Sequence, residues 1–343
     1  MSHEIESMMF CGATPWHGLG NRLIDRPKSI DEALVAAGLD WTVKPFPLFS
    51  QIPLGSKDAQ GRDQFLKVPV NGSKAIIRST DNKVLGVVGK GYRPLQNKEG
   101  FSFLDEAITN DFVSIETAGS LRGGKRVWML AHINGLEQDV VNGDPVKAYF
   151  LISNSHDGTL AVRVGFTGIR VVCQNTLSLA HHEGKGHLLQ VRHTKNVVSA
   201  LDKLKEIVDW QKQTFTATME QFKALTRKGC NEELLRQYVT EVFQPSTVKE
   251  TPVEAAAEET AEETQENATV DKLMEKVIPL FQGGKGQNIA GVSGTLWAAY
   301  NAVTEYQTWE RGRSNDTRLD SLWFGANKAT NERAFEVALK MAA

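Results

Sequence analysis

From residue 41 to about 90, and again from 112 to 172, apolar and polar residues alternate with a period near two, in runs bounded by Gly, Asn and Asp. That period predicts half-buried strands. Extended runs fall at about 41–50, 64–70, 74–79 and 84–88, and Asp81-Asn82 predicts a hairpin turn between Ile76-Ile77-Arg78 and Val84-Leu85-Gly86-Val87-Val88. Further strands are predicted at 112–119, 125–133, 145–152, 160–166 and 169–172. Leu121-Arg122-Gly123-Gly124-Lys125-Arg126 forms a basic loop between the first two of these. The polar turn Ser153-Asn154-Ser155-His156-Asp157-Gly158-Thr159 opens the fourth, and Thr167-Gly168 predicts a tight turn before the fifth.

Helical spacing takes over elsewhere. Ser29 or Asp31 can cap a short helix through Glu32–Ala37, with Gly38 at its end. Gln96–Thr109 places Phe101, Leu104 and Ile108 on one face. A short helix is expected at 174–182, a strand at Leu188–Val191, and a long helix from Val197 towards Arg227 with Leu201, Leu204, Ile207 and Val208 as its buried stripe. Glu232–Phe243 adds another helix. Residues 244–269 lack bulky apolar periodicity and read as a flexible acidic linker. Beyond it, 272–281, 294–310 and 331–341 read as helices, with Trp297, Tyr300, Val303 and Tyr306 forming a core stripe. The expected class is α+β: an antiparallel sheet core with a long packed helix (1–243), a linker (244–270) and a small helical C-terminal unit (271–343).

Composition narrows the function classes. The chain has 343 residues, 41% hydrophobic and 23% charged, as ordinary globular proteins do. No apolar run approaches the ~20 residues of a membrane span, and the N-terminus lacks the pattern of a secretory signal. Three widely spaced cysteines, Cys11, Cys173 and Cys230, fit reduced thiols in a cytoplasm. The net charge of −2 conceals an asymmetry: residues 249–271 hold seven Glu, one Asp and one Lys, which leaves +5 for the rest. A mildly basic body of this kind is compatible with nucleic acid.

Candidate chemistry is sparse. Arg163 and Arg170 stand among β-branched residues, where a charge must face solvent or meet an anion. Half of the eight histidines crowd into 181–193 beside Lys185, Arg192 and Lys195, but without zinc-site spacing. A solvated basic loop touching phosphate fits that segment better than a metal, and a loop with no ligand at all fits it as well as the phosphate reading. Cys173 with His181 or His182 is a possible nucleophile pair, yet a cysteine ending an apolar run packs as a small hydrophobe. Gly123-Gly124-Lys125 and Gly283-Gly284-Lys285-Gly286 do not meet the GxxxxGK[ST] pattern of a nucleotide-binding loop.

Several motifs taken together resemble a known family. Thr14-Pro15-Trp16-His17-Gly18-Leu19-Gly20, Gly91-Tyr92-Arg93-Pro94-Leu95-Gln96-Asn97, Arg170–Leu177, Arg192-His193-Thr194 and Thr295–Tyr306 are similar, in order, to the phage/plasmid-like family of domain of unknown function 932. The resemblance implies a gene of bacteriophages, prophages or plasmids acting in a bacterial cytoplasm. By fold-level analogy it suggests the architecture of single-strand annealing recombinases, which bind DNA without ATP and assemble as rings or filaments.

The function expected on these grounds is a cytoplasmic, non-enzymatic, homo-oligomeric protein that binds or anneals single-stranded DNA, with no cofactor, no metal and no catalytic residue. Arg122, Lys125, Arg126, Arg163, Arg170, Lys185, Arg192 and Lys195 would meet the backbone, and Trp16, Tyr92 or His193 would stack on bases. One alternative is a metal-dependent nuclease or other DNA-modifying enzyme using His156, Asp157 and the histidine-rich loop. Another is an anti-defence interaction module that engages a protein partner through the acidic linker or the C-terminal unit.

Overall fold

The computed structural model describes residues 4–12, 14–15, 17–173, 175–177, 188–191, 207–243, 259–311 and 318–343, with backbone alone for 175–177, 188–191, 207–212, 259–268 and 324. An eight-stranded sheet dominates it. Its strands are β1 (Ile5–Cys11), β2 (Asn21–Leu23), β6 (Val113–Leu121), β7 (Arg126–Asp139), β8 (Pro145–Ser155), β9 (Val162–Arg170), β10 (Asn175–Leu177) and β11 (Leu188–Val191). The order is β10-β9-β8-β7-β6-β1-β2, and β11 shares the edge of β9 with β10. All these pairs are antiparallel except β1 with β2. A second sheet holds β3 (Val43–Lys57), β4 (Asp63–Arg78) and β5 (Val84–Gly89).

The class is α+β, as the period of two followed by helical spacing requires. Short helices α1 (Ile30–Ala36), α2 (Asn97–Phe101) and α3 (Asp105–Thr109) pack at one side of the sheet. Ser29 caps α1 by accepting the Glu32 amide, and Gln96 with Glu99 forms a capping box on α2. The remaining helices are α4 (Ile207–Arg227), α5 (Glu232–Phe243), α6 (Glu259–Gly283), α7 (Leu296–Glu305), α8 (Arg318–Phe324) and α9 (Ala326–Ala342). Tyr306–Glu310 continues α7 as one π turn. The stripe expected on α7 is core: Trp297, Tyr300 and Val303 are fully buried, and Phe222 and Phe335 close an aromatic cluster with ring centroids 4.8–6.0 Å apart.

Several local expectations are corrected. Thr167-Gly168 is no turn; β9 runs straight through it, because Gly168 pairs with Ala148 on one side and Leu177 on the other. Two flanking ladders override a local turn signal there. The helix expected at 174–182 is instead a strand over 175–177, which covers part of the open edge of β9; 178–187 lie outside the described residues. Helix α6 begins at Glu259, inside the stretch expected as linker, while 244–258 fall outside the described residues. One continuous core runs from Met9 on β1 to Ala338 on α9 and includes side chains of α4, α5, α6 and α7. The C-terminal helices therefore complete the core of the sheet domain. The long helix is described from Ile207, and Leu201 and Leu204 lie outside the described residues.

Each face of the large sheet has its own layer. Met9, Ala118, Met129, Ile152 and Val164 point into the main core. The opposite face carries a smaller cluster of Met8, Phe10, Leu121 and Trp128, closed by Leu319, Leu322 and Trp323 of α8. That second face holds the candidate site.

Candidate nucleic-acid interface

Strand register decides which expected site residues share a surface. Arg126 pairs with Ser155, Ser153 with Arg163, and Tyr149 with Thr167, without a register shift along β8 and β9. Directly opposed residues share a face, so Arg126, Arg163, Tyr149 and Thr167 all lie on the second face. Arg170 is seven residues from Arg163. An odd spacing on an unbroken strand sends the two side chains to opposite faces.

Arg170 is fully buried on the main-core side. It donates to both carboxylate oxygens of Asp144 (Nε–Oδ1 2.6 Å, Nη2–Oδ2 2.9 Å) and to the carbonyls of Lys285 and Gly286 (3.2 and 3.0 Å). Its guanidinium also lies 5.6 Å from the Trp297 ring centroid. The anion that the sequence demands for this arginine is thus internal, and Arg170 has no surface to offer a phosphate. The Gly283–Gly286 loop supplies two of its acceptors, which explains that glycine-lysine cluster without a nucleotide. Lys285 itself lies 3.1 Å from the Trp309 ring centroid.

The other described basic residues gather at one end of the sheet. The β6–β7 turn has Arg122, Gly123 and Gly124 at positive φ, and it brings Arg122, Lys125 and Arg126 beside Arg78 and Lys83 of the second sheet. A Cβ on Gly124 would stand 2.6 Å from Arg78 Nη1, so only glycine leaves room for that guanidinium. Most of this charge is matched. Arg78 makes paired hydrogen bonds to both Glu6 and Asp81 (2.6–2.9 Å), which hold the Glu6 carboxyl below its ordinary range. Lys83 stands 3.5 Å from Glu6, Arg122 binds Glu4 and Asp320, and Arg126 binds Asp320.

Two cations at this end differ. Arg163 and Lys125 form no ion pair among the described residues, and the buried Arg163 Nε lacks a hydrogen-bond partner there. Burial, and then the charge of Arg126, push the Arg163 pKa down, while the Asp320 carboxylate acts the other way. Tyr92 stands against the β8–β9 turn, where its hydroxyl donates to the Ser155 carbonyl at 2.7 Å. Burial foremost, with the Asp157 charge, raises its pKa and keeps the phenol protonated. Trp16, Lys185, Arg192, His193 and Lys195 lie outside the described residues. Strand β11 ends at Val191, opposite Val162 and one residue from Arg163.

Further along the same face lies a cavity of ≈ 240 Å³. Met8, Leu130, Ile169 and Trp323 give it apolar walls. Its polar side is a linked set: Glu116 accepts from Arg26 Nη2 (3.1 Å) and from the Tyr149 hydroxyl (2.8 Å), with Lys147 and Thr167 nearby. The Tyr149 pKa is raised, mainly by burial and then by Glu116. His132 packs against Tyr149 with ring centroids 5.3 Å apart, and burial holds its pKa below the ordinary value. Pro15 and His17 of the Thr14–Gly20 motif also line the cavity. An apolar cleft with a few convergent polar groups is the usual form of a binding site.

The sequence does not point to this cavity. Glu116 sits at a register shift in β6 and meets Arg26 from ninety residues away, a proximity that no local pattern encodes. Among the described residues the enzymatic candidates considered from sequence do not converge. His156 is fully buried with its Nε2 2.9 Å from Asn97 Oδ1, whereas Asp157 caps its own turn through Thr159. Cys173 is buried, and His181 and His182 lie outside the described residues. Among the described residues no three His, Cys, Asp or Glu side chains group closely enough to hold a metal ion, and no helix is long and apolar enough to cross a membrane.

No curated protein and no solved structure matches the chain. A family model described as Domain of unknown function (DUF932) matches residues 84–323. That span takes in most of the large sheet, the cavity's α8 wall and helices α4 to α7; the Thr14–Gly20 motif and the β3–β4 ribbon lie outside it. Because the match covers well over half of the chain, this protein belongs to the family of domain of unknown function 932.

Proposed function

We propose that this protein binds single-stranded nucleic acid on the second face of its large sheet, without ATP. The observation that carries the reading is the arrangement along β9. Arg163, which forms no ion pair among the described residues, and Thr167 at the apolar cavity share one face of one strand. Four residues separate them, about 13 Å at ~3.3 Å per residue. A cationic end beside an apolar cleft suits a strand whose phosphates meet Arg163 and Lys125 while an unstacked base enters the cleft. Arg122 and Arg126 act in this reading mainly by shaping the turn, since carboxylates already occupy them. The mobile-element setting and a role in strand annealing, both implied by the family resemblance, belong to the same proposal.

The test is fluorescence anisotropy with labelled single- and double-stranded oligonucleotides across a salt series, with neither ATP nor metal added. Single strands should bind more tightly, and log affinity should fall steeply with log salt. Arg163→Ala with Lys125→Ala should weaken binding and reduce the magnitude of the salt slope by ~0.7 per lost phosphate contact. No binding at low salt to either form would sink the proposal.

A further inference from the structure

Strands β3 and β4 form a two-stranded ribbon whose outer part, Phe49–Lys57 paired with Asp63–Pro69, extends past the strand pairing that β5 provides at Ser73–Ile77. Some eight residues of ribbon thus project roughly 26 Å from the three-stranded part. An isolated two-stranded ribbon is marginal in water, and this one is unusually apolar. Ile52, Leu54, Leu66 and Val70 are 48, 54, 51 and 42% exposed, and Phe49 and Phe65 are about as open. Ile52 pairs with Leu66, and the alternation along each strand puts Leu54 and Val68 on the same face as that pair. The other face carries Phe49, Pro53, Phe65, Lys67 and Pro69.

We propose that the ribbon is a self-association arm whose aliphatic face packs on the same face of a second copy of this chain. Three observations select that occupant. The ribbon's charges are largely answered within it: Arg62 pairs with Asp58, Lys57 with Asp63, and Lys74 donates to the carbonyls of Lys90 and Tyr92. Arg78 is held by Glu6 and Asp81, so of the ribbon's cations only Lys44 and Lys67 have no ion pair or side-chain hydrogen bond among the described residues, a weak lure for a polyanion. Prolines at 45, 47 and 53 of β3 and 69 of β4 cannot donate hydrogen bonds, and they interrupt the open edges on which another strand would add. Packing face on face, as in stacked sheets, remains available. The third is area. The half-exposed Ile52, Leu54 and Leu66 of that face offer on the order of 300 Å² per copy, and neighbouring side chains and backbone add to this, against the ~800 Å² per partner of a standard interface. Identical aliphatic faces meeting about a two-fold axis satisfy both copies at once.

This inference stands apart from nucleic-acid binding, which is assigned to the other sheet. The experiment is sedimentation velocity on the full chain across the micromolar range, beside Ile52→Lys/Leu66→Lys and a variant with residues 50–68 replaced by an Asn-Gly turn. The wild-type protein should sediment as a dimer or larger assembly, and both variants as monomers with unchanged far-UV circular dichroism. The shortened ribbon removes no buried side chain, so it keeps the test valid if the lysine pair unfolds. A monomeric wild type, or variants with unchanged mass, would overturn the proposal. So would variants that keep their mass but lose oligonucleotide binding, because the face would then belong to nucleic acid.

Discussion

Replacing Arg170 with Met separates a structural arginine from a binding one. In the folded protein its buried guanidinium satisfies both oxygens of the buried Asp144 and the carbonyls of Lys285 and Gly286 in the 284–287 loop. The methionine fills similar volume but leaves Asp144 with the Trp297 indole N–H (2.8 Å) as its donor, and strands the carbonyls of Lys285 and Gly286. Removing one member of a buried ion pair costs about 3–5 kcal/mol, a large part of a typical total stability of 5–15 kcal/mol. With a urea m-value near 3 kcal/mol/M, the midpoint should fall by roughly 1–1.7 M. Urea titration followed by tryptophan fluorescence and circular dichroism measures this. Arg170→Met/Asp144→Leu should recover much of the loss, since it removes both charges together. The folded fraction of Arg170→Met should bind oligonucleotides as the wild type does. A midpoint unchanged within about 0.3 M, together with weakened binding, would refute the assignment and return Arg170 to a ligand surface.

Two further changes probe the sheet. His132 has its pKa lowered chiefly by burial, with Glu116, Lys147, Arg26 and Glu137 as the charges around it. Its stabilising contribution is therefore complete above the unfolded value of ~6.5 and declines as pH falls from there towards the folded pKa. His132→Phe should flatten that part of the stability–pH curve, as read by urea midpoints between about pH 7.5 and 5.5; an unchanged slope would contradict a neutral buried ring. Gly119→Ala would place a methyl 2.4 Å from the Ser7 carbonyl and 2.5 Å from the Trp128 ring, across the β1–β6 pairing. It should cost at least 1–3 kcal/mol and lower the melting temperature by several degrees, and an unaltered melt would mean that β1 is not held there.

Whatever depends on neighbours in sequence was legible from the chain alone. The Asp81-Asn82 hairpin, the Ser29 cap, the Arg122–Lys125 turn, helix α5 and the buried stripe of α7 all follow from spacing, turn chemistry and capping, which act over a few residues. Positions where local preference yields to long-range pairing were not legible: β9 crosses Thr167-Gly168 because ladders on both sides hold it, and 175–177 extends because an edge needs covering. The site shows the same division. Arg163 and Arg170 look alike in sequence, each a charge among β-branched neighbours. An unbroken strand and an odd spacing turn one towards the second face of the sheet and drive the other against Asp144, twenty-six residues away. Sequence alone determined that each of these arginines needs an anion or water. Only the tertiary structure decided which of them already has its anion, because ion-pair partners and sheet faces are set by register between distant strands.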